Sequence, residues 1–256
     1  MRFLIVSDIH ANWEALEAVL ALTEGQYDQI VCLGDLVGYG PDPNPVVEWA
    51  RTKVAVQVRG NHDRVAVGLD SVEWFNPVAR VAALWTQQEL TPENSEFVRQ
   101  LPKGPLPVLA PDSQESPKVL YQIAHGSPLD EDGYIVSSTD AAFTFPYVES
   151  DLTFFGHSHL QGGFTWSQLQ ARSVGRPRIK EEPVAVQLAP DQAYLINPGS
   201  VGQPRDMDPR AAFVLYNVDQ RCVYYCRTGY DVEKTQAKIH AAGLPELLAD
   251  RLALGR

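Results

Sequence analysis

The sequence predicts an α/β fold organised around a parallel β-sheet. Two observations predict it. Three short apolar runs near the N-terminus alternate with helix-like segments, and each run ends in polar residues able to bind metal. Continuous apolar strands separated by helices indicate a sheet buried on both faces. In such sheets ligands collect beyond the carboxyl ends of the strands.

The elements follow in order. Residues 3–6 form an apolar strand that stops at Ser7-Asp8. Asn12 is placed to cap a helix with Trp13, Leu16, Val19 and Leu20 on one face. Residues 29–33 make a second strand before Gly34-Asp35, and the Pro/Asn cluster at 43–45 starts a helix that runs to 53. A third strand, 54–58, ends at Gly60-Asn61-His62-Asp63. Residues 76–101 are helical with a break near Thr91-Pro92, and the Pro/Ser-rich stretch 102–117 reads as a surface connection. Strands at 119–124 and 152–155 run into His125-Gly126 and Gly156-His157-Ser158-His159. The later half is strand-rich, at 185–188, 194–196, 212–218 and 222–227, with 173–183 as a loop. A helix from about Asp231 closes the chain and restarts at Pro245 before 247–254. With no Gly/Ser-rich linker and no internal repeat, residues 1–256 read as one domain.

Composition bounds the function. The 256 residues carry 21 Lys+Arg against 32 Asp+Glu, a net charge of −11. That balance excludes a broad basic face for long nucleic acid or anionic membrane, and leaves open a small phosphorylated substrate held by metal ions. The apolar N-terminal run is too short for a signal peptide, and no stretch approaches a membrane span; a cytoplasmic location is expected. Cys32, Cys222 and Cys226 are too few for a disulfide framework. Cys222 and Cys226, four apart on a strand, lie roughly 13 Å from each other; buried free thiols are expected.

Of six histidines, five stand at the ends of apolar strands beside Asp, Asn or Gly: His10, His62, His125, His157 and His159. Packing does not explain that placement. Imidazole nitrogen with carboxylate or amide oxygen from Asp8, Asp35 and Asn61 suits borderline divalent metals. Asp8-x-His10 and His157-x-His159 would each put both side chains on one face of an extended segment. Seven donors exceed what one ion with open positions needs and suit two ions sharing a carboxylate.

These blocks, Asp8-Ile9-His10, Gly34-Asp35, Gly60-Asn61-His62-Asp63, His125-Gly126 and Gly156-His157-Ser158-His159, resemble in order those of the calcineurin-like metallophosphoesterases. The resemblance implies an αββα sandwich of two sheets with helices outside. It implies one metal on Asp8, His10 and His159, a second on Asn61, His125 and His157, and Asp35 bridging both. His62 would contact the phosphate and protonate the leaving group, oriented by Asp63. The implied activity is hydrolysis of phosphodiester or phosphomonoester bonds of small molecules by a metal-bridging hydroxide, with two Mn, Fe, Co, Ni or Zn ions. A nuclease, a dinucleoside-polyphosphate hydrolase and an idle scaffold are the alternatives; retention of all seven donors and His62 disfavours the scaffold. Gly34-Asp35 lacks the following Val-Asp-Arg-Gly block of Ser/Thr phosphatases and symmetrical dinucleoside-tetraphosphate hydrolases, and Asp63 stands where protein phosphatases tend to carry Glu. Both features point to the small prokaryotic phosphodiesterase-like branch, as does the block from Asn197-Pro198-Gly199-Ser200-Val201 to Pro204-Arg205.

Three further readings stay open at the sequence level. Arg205 either reaches a substrate anion or pairs with Asp206 or Asp208. Asn12 either contacts substrate oxygen or only caps its helix. Tyr39, Trp74 and Phe75 form an aromatic wall for a nucleoside or aryl group, or pack in the core. A dinucleotide-binding reading of Gly34–Gly40 fails because the G-x-G-x-x-G order and a ribose-binding acid are missing.

Overall fold

The structure, a computed structural model, describes residues 1–110, 119–175 and 183–256. Two mixed six-stranded sheets pack face to face with helices on their outer sides. The first sheet starts as a parallel β-α-β-α-β unit: β1 (Arg2–Val6), α1 (Trp13–Thr23), β2 (Gln29–Cys32), α2 (Pro43–Lys53) and β3 (Val54–Gln57). A short helix, α3 (Asn61–Ala66), follows, then α4 (Pro77–Glu89) and α5 (Pro92–Arg99). The break between the last two has a local cause. Asn76 and Thr91 each cap a new helix through their side-chain oxygens, with proline in the first turn.

The second sheet comprises β4 (Leu106–Leu109), β5 (Val119–Ile123), β6 (Leu152–Phe154), β7 (Gly162–Ser167), β8 (Gln170–Val174) and β10 (Ala193–Asn197), in the order β4-β5-β6-β10-β7-β8. The helix α6 (Ser138–Thr144) covers its outer side. The first sheet is completed by β9 (Val184–Gln187), β11 (Ala211–Asn217) and β12 (Cys222–Thr228), giving β3-β2-β1-β11-β12-β9. The helices α7 (Val232–Ala241) and α8 (Glu246–Asp250) close the chain.

Period-two alternation sorts the strand side chains. Phe3 and Ile5 of β1 face the second sheet, while Leu4 and Val6 face α1 and α2. The core between the sheets centres on Tyr121, whose ring meets Phe3, Phe154 and Tyr216 edge-on at centroid distances of 5.1, 5.2 and 5.7 Å. Phe3 and Tyr216 come from one sheet and Tyr121 and Phe154 from the other, so this cluster locks the layers in register.

Most expected elements appear within a residue or two. Two corrections concern segments read as loops. Part of the 102–117 connection is the strand β4, whose Pro107 is tolerated because β4 is an edge strand; 111–117 lie outside the described residues. Ser173 and Val174 of the expected 173–183 loop belong to β8, and 176–182 lie outside the described residues. The β7–β8 hairpin escaped sequence reading because its two-residue turn places Gln168 and Leu169 in left-handed backbone, without the usual Asn-Gly signal. The three cysteines are free and buried. Among the described residues no helix is long and apolar enough to cross a membrane.

Phe154→Ala should cost about 3–5 kcal/mol of stability in denaturant unfolding, the usual range for emptying a close-packed aromatic site. A loss below about 1 kcal/mol would contradict the inter-sheet cluster.

Candidate metal centre

The strands stop short of the site and loops complete it. β1 ends at Val6, and Asp8 and His10 then adopt left-handed backbone (φ 53° and 50°), as do Asp35, His157 and His159. The expected reason for convergence is thus corrected. The paired side chains meet because the loops curl, not because an extended segment presents one face. Left-handed conformations are disfavoured for residues other than glycine, though Asp and His tolerate them better than most. Five at one place mark a functional constraint.

Neighbouring backbone fixes each carboxylate. Asp35 Oδ1 accepts the His62 amide at 2.8 Å, leaving Oδ2 3.5 Å from His10 Nε2 and 3.4 Å from His125 Nε2. Asp8 Oδ2 accepts the His157 amide at 3.1 Å; Oδ1 has no hydrogen-bond donor among the described residues and faces His159 Nε2 at 3.3 Å. Gly60 is required here, since a Cβ would lie 2.0 Å from Asp35 Oδ1. The donors fall into two groups, Asp8, His10, Asp35 and His159, and Asp35, His125 and His157, with Asp35 common to both. Asn61, at the start of α3, brings Oδ1 to 3.2 Å from His125 Nε2.

Imidazole tautomers are set from behind. His10, His125 and His159 donate from Nδ1 to the carbonyls of Val37, Leu33 and Gln203 at 3.1, 2.8 and 2.6 Å. Their Nε2 lone pairs therefore point inward. His157 donates from Nε2 to the Asp132 carbonyl at 3.1 Å, which leaves Nδ1 as its lone pair. His10 and His159 then hold two lone pairs 3.1 Å apart. That contact is repulsive unless a cation lies between the rings and the carboxylates, so the donor set fits a divalent metal.

The electrostatics agree. Burial pushes Asp8 up to about 7 and holds His10 and His159 well below the ordinary imidazole value. Burial also lowers His157 to about 3 and His62 to about 4. His125 alone rises, to about 10, because the Asp35 charge outweighs its burial. His10, His157 and His159 are thus neutral bases ready to ligate, whereas His125 gives up a proton when it does.

The family follows from the same residues. A model of the calcineurin-like phosphoesterase superfamily domain matches residues 1–221, which contain every donor described above. The chain belongs to this superfamily. A metallophosphoesterase from Sphaerobacter thermophilus is similar over 100% of this chain and 99% of its own, at 38% identity and a TM-score of 0.82. The uncharacterised protein MJ0912 of Methanocaldococcus jannaschii is 36% identical over 98% of this chain and 97% of its own. The hypothetical protein PH1004 of Pyrococcus horikoshii shares the fold at 20% identity, with a TM-score of 0.74 over 100% of this chain and 98% of its own. Membership in this calcineurin-like superfamily, together with the Asp/His groups, supports divalent metal binding and phosphoester hydrolysis.

Other expected site residues fall differently. His62 is buried between Tyr39 and Phe75, with ring centroids at 4.3 and 4.5 Å, and meets His10 edge-on at 4.9 Å. Gly38 (φ 90°) makes room, since a Cβ there would lie 2.4 Å from His62 Nδ1. The expected contact from Asp63 to this ring is not made. Its carboxylate accepts the amides of Gly60 at 2.9 Å and Val37 at 3.2 Å, while His62 Nδ1 has no partner among the described residues. Asp63 thus positions the loops that carry Asp35 and His62. Asn12 is also structural: Oδ1 caps α1 and accepts Thr235 of α7, and Nδ2 donates to Gly202. Gly202 takes only one of the two Nδ2 hydrogens.

Arg205 keeps its anion-binding option. The expected alternative partners are engaged elsewhere, Asp206 with Arg227 and Asp208 with Arg210. Arg205 donates to Gln203 Oε1 at 2.9 Å and lies over Tyr39, with Nε unpartnered and no carboxylate paired to it among the described residues. Tyr39 and Phe75 join a buried cluster with α4, α7 and α8, whereas Trp74 stays exposed. Sequence reading missed Asn197, which donates to the Gly156 carbonyl and Ser158 Oγ, and Ser200, which donates to the Asp8 carbonyl at 2.7 Å. The Asn-Pro-Gly-Ser block was visible; its staple role depends on loops more than 35 residues away.

Adding Mn²⁺ at about 100 times its Kd should stabilise the wild type by about 2.7 kcal/mol, raising Tm by roughly 5–10 °C. Asp35→Asn should abolish that rise; an equal rise in the variant would contradict the site.

Proposed function

We propose that the protein is a binuclear metal-dependent phosphoesterase, a single cytoplasmic domain that hydrolyses phosphodiester bonds, and secondarily phosphomonoester bonds, of small molecules. The observation that carries this reading is Asp35 Oδ2, nearly equidistant from imidazoles of both donor groups. A carboxylate oxygen in that position suits a bridge between two ions. Asp8, His10 and His159 would hold one, and Asn61, His125 and His157 the other. Manganese, iron, cobalt, nickel and zinc all suit this mixed nitrogen and oxygen set.

Divalent ions bound there would neutralise phosphate charge and acidify an attacking water. The remaining roles belong to the chain. Arg205, with no carboxylate paired to it among the described residues, would orient a phosphate oxygen through its guanidinium fork. His62 is neutral in the metal-free chain, because burial lowers it to about 4; it would take up a proton from solvent once a phosphate anion is close by, and pass that proton to the leaving oxygen. Tyr39, Phe75 and Gly38 hold the ring in place, and Asp63 holds the backbone that bears it.

Metal analysis and a bis-p-nitrophenyl phosphate assay with Mn²⁺ test this reading. Two ions per chain are expected, with His157→Ala retaining about one. His62→Ala should keep both ions and lose roughly 10²–10⁴ in turnover. A fully loaded wild type that cleaves no phosphoester, or full activity in His62→Ala, would contradict it.

A further inference from the structure

A cavity of about 400 Å³ opens beside Asn61 and His157, on one side of the metal-ligand groups. That volume is within the range of small-ligand sites. Its lining combines the aromatic rings of Trp74, Phe75 and Tyr134 with charged side chains. Trp74 is 85% exposed and joins no hydrophobic cluster, and Tyr134, itself 55% exposed, stacks on His157 with ring centroids 4.1 Å apart. The exposed Trp74 ring, beside a Tyr134 that is packed on His157 yet more than half exposed, leaves apolar area in water that a flat ligand would cover.

The charged groups of the cavity are already satisfied. Arg64 pairs with Asp70 at 3.0 Å, with Asp132 at 2.7 Å and with Glu131, which also pairs with Arg59 at 3.1 Å. Two guanidiniums thus face three carboxylates. Among the described residues no free cation remains in this cavity for a phosphate, and an anionic group meets net negative charge. The half-exposed carboxylates of Asp70 and Asp132 retain acceptor capacity for hydroxyl or amino donors. Among the described residues, the guanidinium near the ligand groups with no carboxylate partner is that of Arg205, so phosphate and organic group have separate places.

We infer that this cavity binds the nucleoside portion of a monophosphate ester, its base stacked on Trp74 and its hydroxyls donating to Asp70 and Asp132. The inference rests on the phosphoesterase reading and names its substrate class. Dinucleoside polyphosphates are disfavoured, because their extra charges would enter an acidic cavity.

The test compares AMP with inorganic phosphate on the manganese-loaded protein by titration calorimetry. The wild type should bind AMP at least ten-fold more tightly than phosphate. Trp74→Ala should weaken AMP about ten-fold, as expected for loss of one stacking face, while phosphate affinity moves less than two-fold. Equal wild-type affinities for the two ligands, or unchanged AMP binding in Trp74→Ala, would overturn the inference. Turnover of thymidine 5′-p-nitrophenyl phosphate is read separately. The expected AMP pattern without hydrolysis sinks the phosphoesterase reading and supports the nucleoside site.

Discussion

Two carboxylates sealed from water are the constraint on which the rest of the molecule depends. Asp8 and Asp35 are 0% and 1% exposed, and burying an unpaired carboxylate costs several kcal/mol even after relaxation. Each gains one backbone hydrogen bond and keeps one oxygen aimed inward. Of the imidazoles facing those oxygens, His10 and His159 are lone-pair donors, and only His125 is held protonated by the Asp35 charge. One imidazolium leaves the second carboxylate without a counter-charge, which a divalent ion would supply. Divalent metal binding is therefore part of the stability of this end of the fold as well as of its chemistry.

Much of the surrounding structure keeps that arrangement rigid. The parallel strands β1, β2 and β3 bring the Asp8, Asp35 and Asn61 loops to one edge, and the aromatic cluster around Tyr121 ties them to the sheet that delivers His125 and His157. Asn197 and Ser200 then staple the loop after β10 to the Gly156 and Asp8 backbones. Strained left-handed residues persist because these staples over-determine them. A closely packed scaffold thus converts a few unfavourable local conformations into convergent donors.

The legible and illegible parts of the sequence divide along physical lines. Apolar runs bounded by Gly, Asp and His were readable because burial on both faces demands continuous apolar residues, and the donor residues advertised themselves by standing at strand ends. The geometry of their convergence was not readable, since alternation along a strand gives no hint that Asp8 and His159 turn left-handed. The Asp63 role depended on the turn that starts α3, which no local pattern reveals. Nor did local sequence mark the carbonyls of Val37, Leu33 and Gln203 that set the tautomers, because every residue carries a carbonyl. The Gln168-Leu169 turn lacked glycine and asparagine and so hid a hairpin. The acidic composition, with its net charge of −11, concealed a site built for anions, because metal charge is absent from a residue count.

Anomalous scattering from crystals grown with Mn²⁺ tests the central claim most directly. The account predicts two peaks roughly 3.5–4 Å apart, one beside Asp8, His10 and His159, the other beside Asn61, His125 and His157, with Asp35 Oδ2 between them. A single peak, or metal bound away from Asp35, would contradict it.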